Sequence, residues 1–241
     1  MKSKILEHQI FYFPPDALHE GSIVFSEDES RHMLKSLRLR AGEHLRATDG
    51  VGAFYDAAIE RTTRARVEAR VVKVTRAQPQ VPAVTVFQGI VKAHRMEQLI
   101  EKATELGGAG LIPVESERCL RRVAAPRLAR WRRIAREAMK QSLRASLPTI
   151  SEPRDFEEAL QMSGGFELIL VASAEAGGRP LGDLATPGVA RIALWVGPEG
   201  GFTDAEASAL AARGAVAFTL GPHRLRSETA ALAALVLLSH P

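Results

Sequence analysis

Cysteine is almost absent from this chain of 241 residues. Cys119 is the only one, which excludes an internal disulfide and a cysteine-paired metal site and makes a reducing cytoplasm the expected home. Nor is there an apolar run near the roughly 20 residues a membrane helix needs. The most apolar stretch, 229–238, reads instead as a buried helix. Lys2, Lys4, Glu7 and His8 interrupt any apolar run at the start, so no signal peptide is expected. His8, His19, His32, His44, His94, His223 and His240 are scattered without metal-ligand spacing. Both common nucleotide fingerprints are missing, the G-x-x-x-x-G-K-[ST] loop and a G-x-G-x-x-G after a first strand. No internal repeat or low-complexity tract occurs.

Acidic residues are scarce in one place. Between Arg118 and Arg144 the bases are Arg118, Arg121, Arg122, Arg127, Arg130, Arg132, Arg133, Arg136, Lys140 and Arg144, with Glu137 the only acid. Such a field suits a phosphate backbone; the alternative is a solvated helix face. The chain as a whole is 46% apolar and 25% charged with a net charge of +4, an ordinary globular composition that leans only mildly towards an anionic partner.

Two domains fit the patterning. Residues 10–13, 22–25, 44–48, 53–60 and 66–74 alternate as short strands. A single helix is predicted over 26–40, with Ser26 or Asp28 as N-cap, Met33, Leu34 and Leu37 on one face, and its end near Gly42. The expected partition is a small barrel over 1–76, a linker over 77–82 carrying Pro79 and Pro82, and a second domain over 83–241. In that domain continuous apolar strands alternate with helices, the signature of a mostly parallel α/β sheet covered on both faces. Strands are predicted at 84–91, 111–114, 168–172, 192–196 and 216–220. Helices are predicted at 94–106, 126–143, 156–162, 203–213 and 228–239.

Two glycine corners interrupt this order. GPEGGFTDAE at 197–206 follows an apolar strand, and Thr203 with Glu206 forms a capping box for the next helix. LGPHRLRSETA at 220–230 repeats the strand, Gly-Pro turn and helix, and sets His223, Arg224, Arg226 and Glu228 at the helix mouth. Ligands bind α/β sheets at such corners, because backbone approaches closely where no Cβ intervenes; a tight turn without a ligand is the alternative.

These two corners closely resemble the signature loops of the SPOUT-class RNA methyltransferases, and among them the uridine-N3 methyltransferases of small-subunit (16S) ribosomal RNA. The resemblance extends to KATELG at 102–107, SERC at 116–119, EAMKQSLR at 137–144, and His32 to Arg38 with Gly42. It implies a PUA-like RNA-binding β-barrel before a trefoil-knotted SPOUT domain, a homodimer, and S-adenosyl-L-methionine as cofactor. By the same resemblance the cofactor would rest on Val196, Gly197, Glu199, Gly200, Gly201, Leu220, Gly221, Leu225, Ser227 and Ala230. RNA would be held by Arg38, Lys92, Arg95, Arg118, Arg132, Arg136 and Arg144. The chain departs from the family at Gln9, where an arginine is usual, and at His223-Arg224, where arginine and then an aliphatic residue are usual.

Methylation at uracil N3 needs the imide proton removed, and a cation near the carbonyls would stabilise the resulting charge. Arg226 is the first candidate for that role and Arg224 its rival; Glu228 serves either as proton acceptor or as the group orienting Arg226. The competing readings are a ribose 2′-O methyltransferase of the same fold and a non-catalytic RNA-binding protein. Cys119 reads as a packed side chain rather than a nucleophile, and Trp131 as a helix anchor rather than a base-stacking platform.

Overall fold

The computed structural model describes residues 9–63, 65–119, 125–173, 178–184 and 188–239. Lys2, Lys4, Glu7, His8, Arg121, Arg122 and His240, all used above, lie outside them. The chain forms two compact units, 1–79 with 136–147, and 80–135 with 148–241.

The first unit runs β1 (Phe11–Tyr12), β2 (Leu18–His19), β3 (Ser22–Val24), α1 (Glu27–Arg31), β4 (His44–Thr48), β5 (Ala53–Thr62) and β6 (Val67–Arg76). Its sheet has the order β1-β4-β5-β6-β3-β2, antiparallel except for β1 against β4. Alternate residues of these strands point inward, and Phe11, Phe13, Ile23, Phe25, Leu45 and Ile59 close the core with Met33. Phe13 meets Tyr55 edge-on, with ring centroids 5.0 Å apart.

The helix predicted over 26–40 is shorter and irregular. Ser26 caps it as expected, accepting from the Glu29 amide, but α1 gives way to a π turn over His32–Ser36. Arg38 then takes a left-handed φ of 58°, and Leu39 N–H reaches back to Met33 O over 2.9 Å. That is a left-handed ending to a π turn, with arginine where glycine is usual. The helix therefore stops well before Gly42, because the buried Leu39 anchors the chain.

Residues 136–147 complete this unit. Lys140 Nζ, partly buried, meets Oε1 of the buried Glu29 at 2.6 Å, and Thr48 Oγ1 donates to Ala145 O. The linear partition at 77–82 had kept this segment with the second domain.

The second unit runs β7 (Ala83–Gly89), α2 (Ala93–Glu105), β8 (Gly110–Glu115), α3 (Ala125–Gln141, whose last turns belong to the first unit), β9 (Thr149–Ile150), β10 (Arg154–Asp155), α4 (Phe156–Ser163), β11 (Leu168–Ala172), β12 (Arg179–Pro180), β13 (Arg191–Val196), α5 (Asp204–Ala212), β14 (Val216–Thr219) and α6 (Ser227–Ser239). The strand order is β10-β8-β7-β13-β11-β14-β12, with β9 also on β8, and every pairing is parallel. The two-residue strands β9, β10 and β12 were not predicted, being too short to carry a period. Trp195 stacks on Phe87 at 4.7 Å on one face of the sheet, and α6 packs against α2, β7 and β13. Trp131 is fully buried on α3, an anchor as expected. Among the described residues no helix is long and apolar enough to cross a membrane, and no group of His, Cys, Asp or Glu could hold a metal.

Candidate active site

Because every strand of the second sheet runs the same way, the chain leaves β13 and β14 at one edge, with β11 between them. The first corner turns tightly: Gly201 N–H bonds Pro198 O at 2.9 Å, and Gly201 takes φ 69°. It also lies hard against β7. A Cβ on Gly89 would come within 2.4 Å of Pro198 Cδ and 2.5 Å of its nitrogen, a separation that backbone cannot relieve by a rotamer change. The capping box forms as predicted, Thr203 and Glu206 exchanging bonds of 2.8 and 3.2 Å. Glu206 Oε1 also accepts from Glu117 N–H at 2.9 Å. Arg118, predicted to hold RNA, spans this corner: its Nη1 donates to Gly200 O at 3.0 Å and Phe202 O at 3.2 Å.

The second corner opens with Gly221 at φ 114°, a conformation that side chains strain. It ends where Ser227 begins α6. Between the corners stands Gln88, fully buried in β7. Its Nε2 donates to Ser227 Oγ at 2.7 Å and to Gly89 O at 2.8 Å, and Ser227 Oγ in turn donates to Gly197 O. Sequence reasoning missed Gln88, although a lone amide inside the apolar run VTVFQG is a detectable signal.

The corners wall a cleft of about 810 Å³, within the range of small-molecule sites. Of the residues to which the resemblance assigns the cofactor, Val196, Gly197, Glu199, Gly201, Leu220, Gly221, Leu225, Ser227 and Ala230 line it. Gly200 does not; its carbonyl faces Arg118. Residues not assigned to the cofactor also line it, among them Ala172 and Ser173 at the end of β11, Phe218, Thr219, and Arg95, which the resemblance gives to RNA. The place of a Cβ on Gly201 and on Gly221 is open space, so the cleft is a cradle with bare backbone on two sides. Leu220, Leu225 and Phe218 offer an apolar wall, and Glu199 and Ser227 offer polar groups, which suits a nucleoside carrying charged substituents.

Arg226 lines the cleft, exposed and with no ion pair among the described residues. Glu228 does not orient it. That carboxylate is buried, and its Oε1 lies 3.5 Å from Arg95 Nε. Arg95, predicted to hold RNA, is largely buried and donates from Nη1 to Glu199 Oε1 at 3.1 Å.

The basic run is more occupied than its composition suggests. Arg130 makes paired bonds to Glu97 at 2.7 and 2.8 Å and holds that carboxyl below its usual range. Arg132 Nε donates to Ile150 O. Arg136 lies over the Tyr12 ring at 5.0 Å. Arg144 is drawn partly out of water, which lowers its pKa. Arg38, Lys92 and Arg133 are exposed, Arg133 without an ion pair among the described residues.

The family comparisons agree with this geometry. Residues 78–239 match the model of an RNA methyltransferase domain and residues 25–72 that of an RNA methyltransferase PUA domain. The chain is 36% identical over 220 residues to the ribosomal RNA small subunit methyltransferase E of Mycobacterium bovis, covering 88% of this chain and 84% of that one. It is 28% identical over 226 residues to the protein of that name from Bacillus subtilis, covering 88% of each. The crystal structure of the Neisseria gonorrhoeae protein of that name, bound to S-adenosyl methionine, superposes with a TM-score of 0.85 at 35% identity and covers 94% of each chain. With a PUA domain ahead of a methyltransferase domain and two glycine corners around one cleft, the chain belongs to the family of the ribosomal RNA small subunit methyltransferases E.

Proposed function

We propose that the protein transfers a methyl group from S-adenosylmethionine to N3 of a uridine in small-subunit (16S) ribosomal RNA. The observation that carries this is the cleft itself, two glycine corners tied by Gln88 and Ser227 in a chain whose relatives are named for that RNA.

The cofactor, when bound, supplies an electrophilic methyl on a sulfonium. The protein's part is position and electrostatics. The open backbone at Gly201 and Gly221 receives the nucleoside, Leu220 and Leu225 exclude water from it, and Glu199 presents a carboxylate to its charged end. Uracil N3 lies on the pairing edge, so the base enters unpaired. Its proton leaves to solvent, the N3–C bond forms as the S–C bond breaks, and sulfur keeps the electron pair as a thioether. Arg226 and Arg224 stand at the mouth, where an incoming strand passes, and exposed Arg38, Lys92 and Arg133 are available to phosphates.

The same reading carries a knotted C-terminal domain, a cytoplasmic site of action and a homodimer. Val236 and Leu237 on α6 are 37% and 50% exposed, while Ala234, Leu235 and Leu238 face inward; a second copy would cover the outer pair. Light scattering at micromolar concentration should give twice the 26.2 kDa chain mass.

The deciding experiment incubates the protein with labelled S-adenosylmethionine and ribosomal particles lacking the modification, then digests the RNA and identifies the nucleoside. N3-methyluridine from the small subunit is expected. Methyl on ribose, or none, overturns the proposal.

A further inference from the structure

We propose that Arg95 is the cation that holds the target base, with Glu199 and Glu228 as its positioning residues; this rests on the base-methylation reading above. Arg95 stands in the first turn of α2 and lines the cleft. Its side chain is only 18% exposed. Glu199 belongs to the first corner and Glu228 to the helix that follows the second, so one guanidinium engages both corners.

Fixity separates Arg95 from its rivals. Arg224 and Arg226 are exposed and free of ion pairs among the described residues, so each would surrender rotamer freedom on meeting a base. Arg95 has already been ordered by the fold. A donor fixed before the reaction does not reorganise as charge develops, which is what makes such donors effective.

The local charge decides how Arg95 acts. Two carboxylates face one guanidinium, so the cluster is not a bare positive charge. Arg95 instead works as a directed donor. Nη1 is committed to Glu199, and Nε lies beside Glu228. Nη2 makes no hydrogen bond to any described residue and is the group left to donate. When uracil loses its N3 proton to solvent, negative charge spreads onto the two flanking carbonyl oxygens. A hydrogen bond from Arg95 to one of them strengthens as that charge grows, and so favours the transition state over the bound ground state. Glu228, buried and with Oε2 accepting no hydrogen bond among the described residues, keeps the guanidinium in place without touching the base.

The test uses the full chain with unmodified small ribosomal subunits, reading turnover, KM for the particle, and affinity for S-adenosylmethionine by calorimetry. Arg95→Gln should lower kcat roughly 100-fold or more while cofactor affinity stays near that of the parent. Arg95→Lys should not rescue it, because an ammonium cannot face two carboxylates and a planar base together. Glu228→Gln should lower kcat with little change in KM, as expected of a group acting through Arg95. Arg226→Gln should cost less kcat than Arg95→Gln.

Near-parental turnover in Arg95→Gln overturns the proposal. So does a cofactor affinity that falls as far as turnover, since Arg95 would then only brace the first corner. Nucleoside identity separates the two levels. Ribose methylation by the parent protein sinks the reaction and this role together, whereas N3-methyluridine from a parent whose Arg95→Gln variant is unimpaired sinks this role alone.

Discussion

Gln88 Nε2 and Ser227 Oγ lie 2.7 Å apart, and this bond joins the middle of the sheet to the start of the last helix. Through Ser227 it continues to Gly197 O, so one buried amide sets the spacing of both corners. Gln88→Leu removes the donor and leaves these groups unmatched, a cost of about 1–3 kcal/mol for each buried polar group affected. Affinity for S-adenosylmethionine should fall roughly ten- to hundredfold with the fold retained. Calorimetry alongside circular dichroism checks this; unchanged affinity would mean the corners hold their spacing without it.

Gly89→Ala should be the most damaging single methyl in the second unit. The added carbon would stand 2.4 Å from Pro198 Cδ, and overpacking of that kind costs about 1–3 kcal/mol. Loss of cofactor binding together with a lowered unfolding midpoint is expected. Gly221→Val should also abolish binding, but the φ of 114° strains any side chain there, so its effect combines backbone strain with obstruction. A Gly89→Ala protein with parental stability would show that the first corner can shift.

Much of this was readable beforehand, for identifiable reasons. Apolar runs such as 168–172 and 192–196 carry their own periodicity, and the Thr203–Glu206 capping box is a local pattern that needs no tertiary partner. Both corners announce themselves through glycine and proline. What escaped depends on distant partners. The partners of Arg95 and Arg118, which the resemblance assigns to RNA, are Glu199, Glu228 and the Gly200 carbonyl, about a hundred positions later in the chain. Arg38 is an expected RNA contact, and nothing in the neighbouring sequence marks it as the left-handed end of a helix.

On the basic helix, Arg133→Glu is a cleaner probe of RNA binding than reversing Arg132 and Arg136. Those two are bound to Ile150 O and stacked on Tyr12, so reversing them disturbs packing as well as charge. Arg133→Glu should weaken RNA binding and reduce the slope of log affinity against log salt by about one, with cofactor affinity unaltered. An unchanged slope would make this face of the helix merely solvated.

The Lys140–Glu29 pair predicts a stability change in the first unit. Burial alone would lower the lysine pKa, but Glu29 and then Glu137 more than offset it and raise it above 10.5. A raised pKa means the stabilisation is complete below the ordinary lysine value and is lost as pH climbs through the folded one. Glu29→Gln should therefore cost about 1–3 kcal/mol at neutral pH, less than for a fully buried pair because Lys140 is partly exposed and keeps Glu137. Urea titrations should show the gap to the parent narrowing in the alkaline range. A gap that is absent at neutral pH, or that widens with pH, would refute the assignment.

The pairing of β7 with β13 sets Ala83 beside Arg191 and Gln88 beside Val196, residues about a hundred positions apart in the chain. During synthesis, β4, β5 and β6 can find one another as soon as they emerge, since each pairs with its neighbour in sequence. The cleft has no such early form. Its floor waits for β13, and its clasp waits for Ser227, which reaches Gln88 only when the last helix has been made. Binding capacity is thus acquired in order, with the barrel strands first and the methyl-donor cradle only after α6 has emerged. Retention of a growing chain on immobilised cofactor would then report that synthesis has passed the second corner.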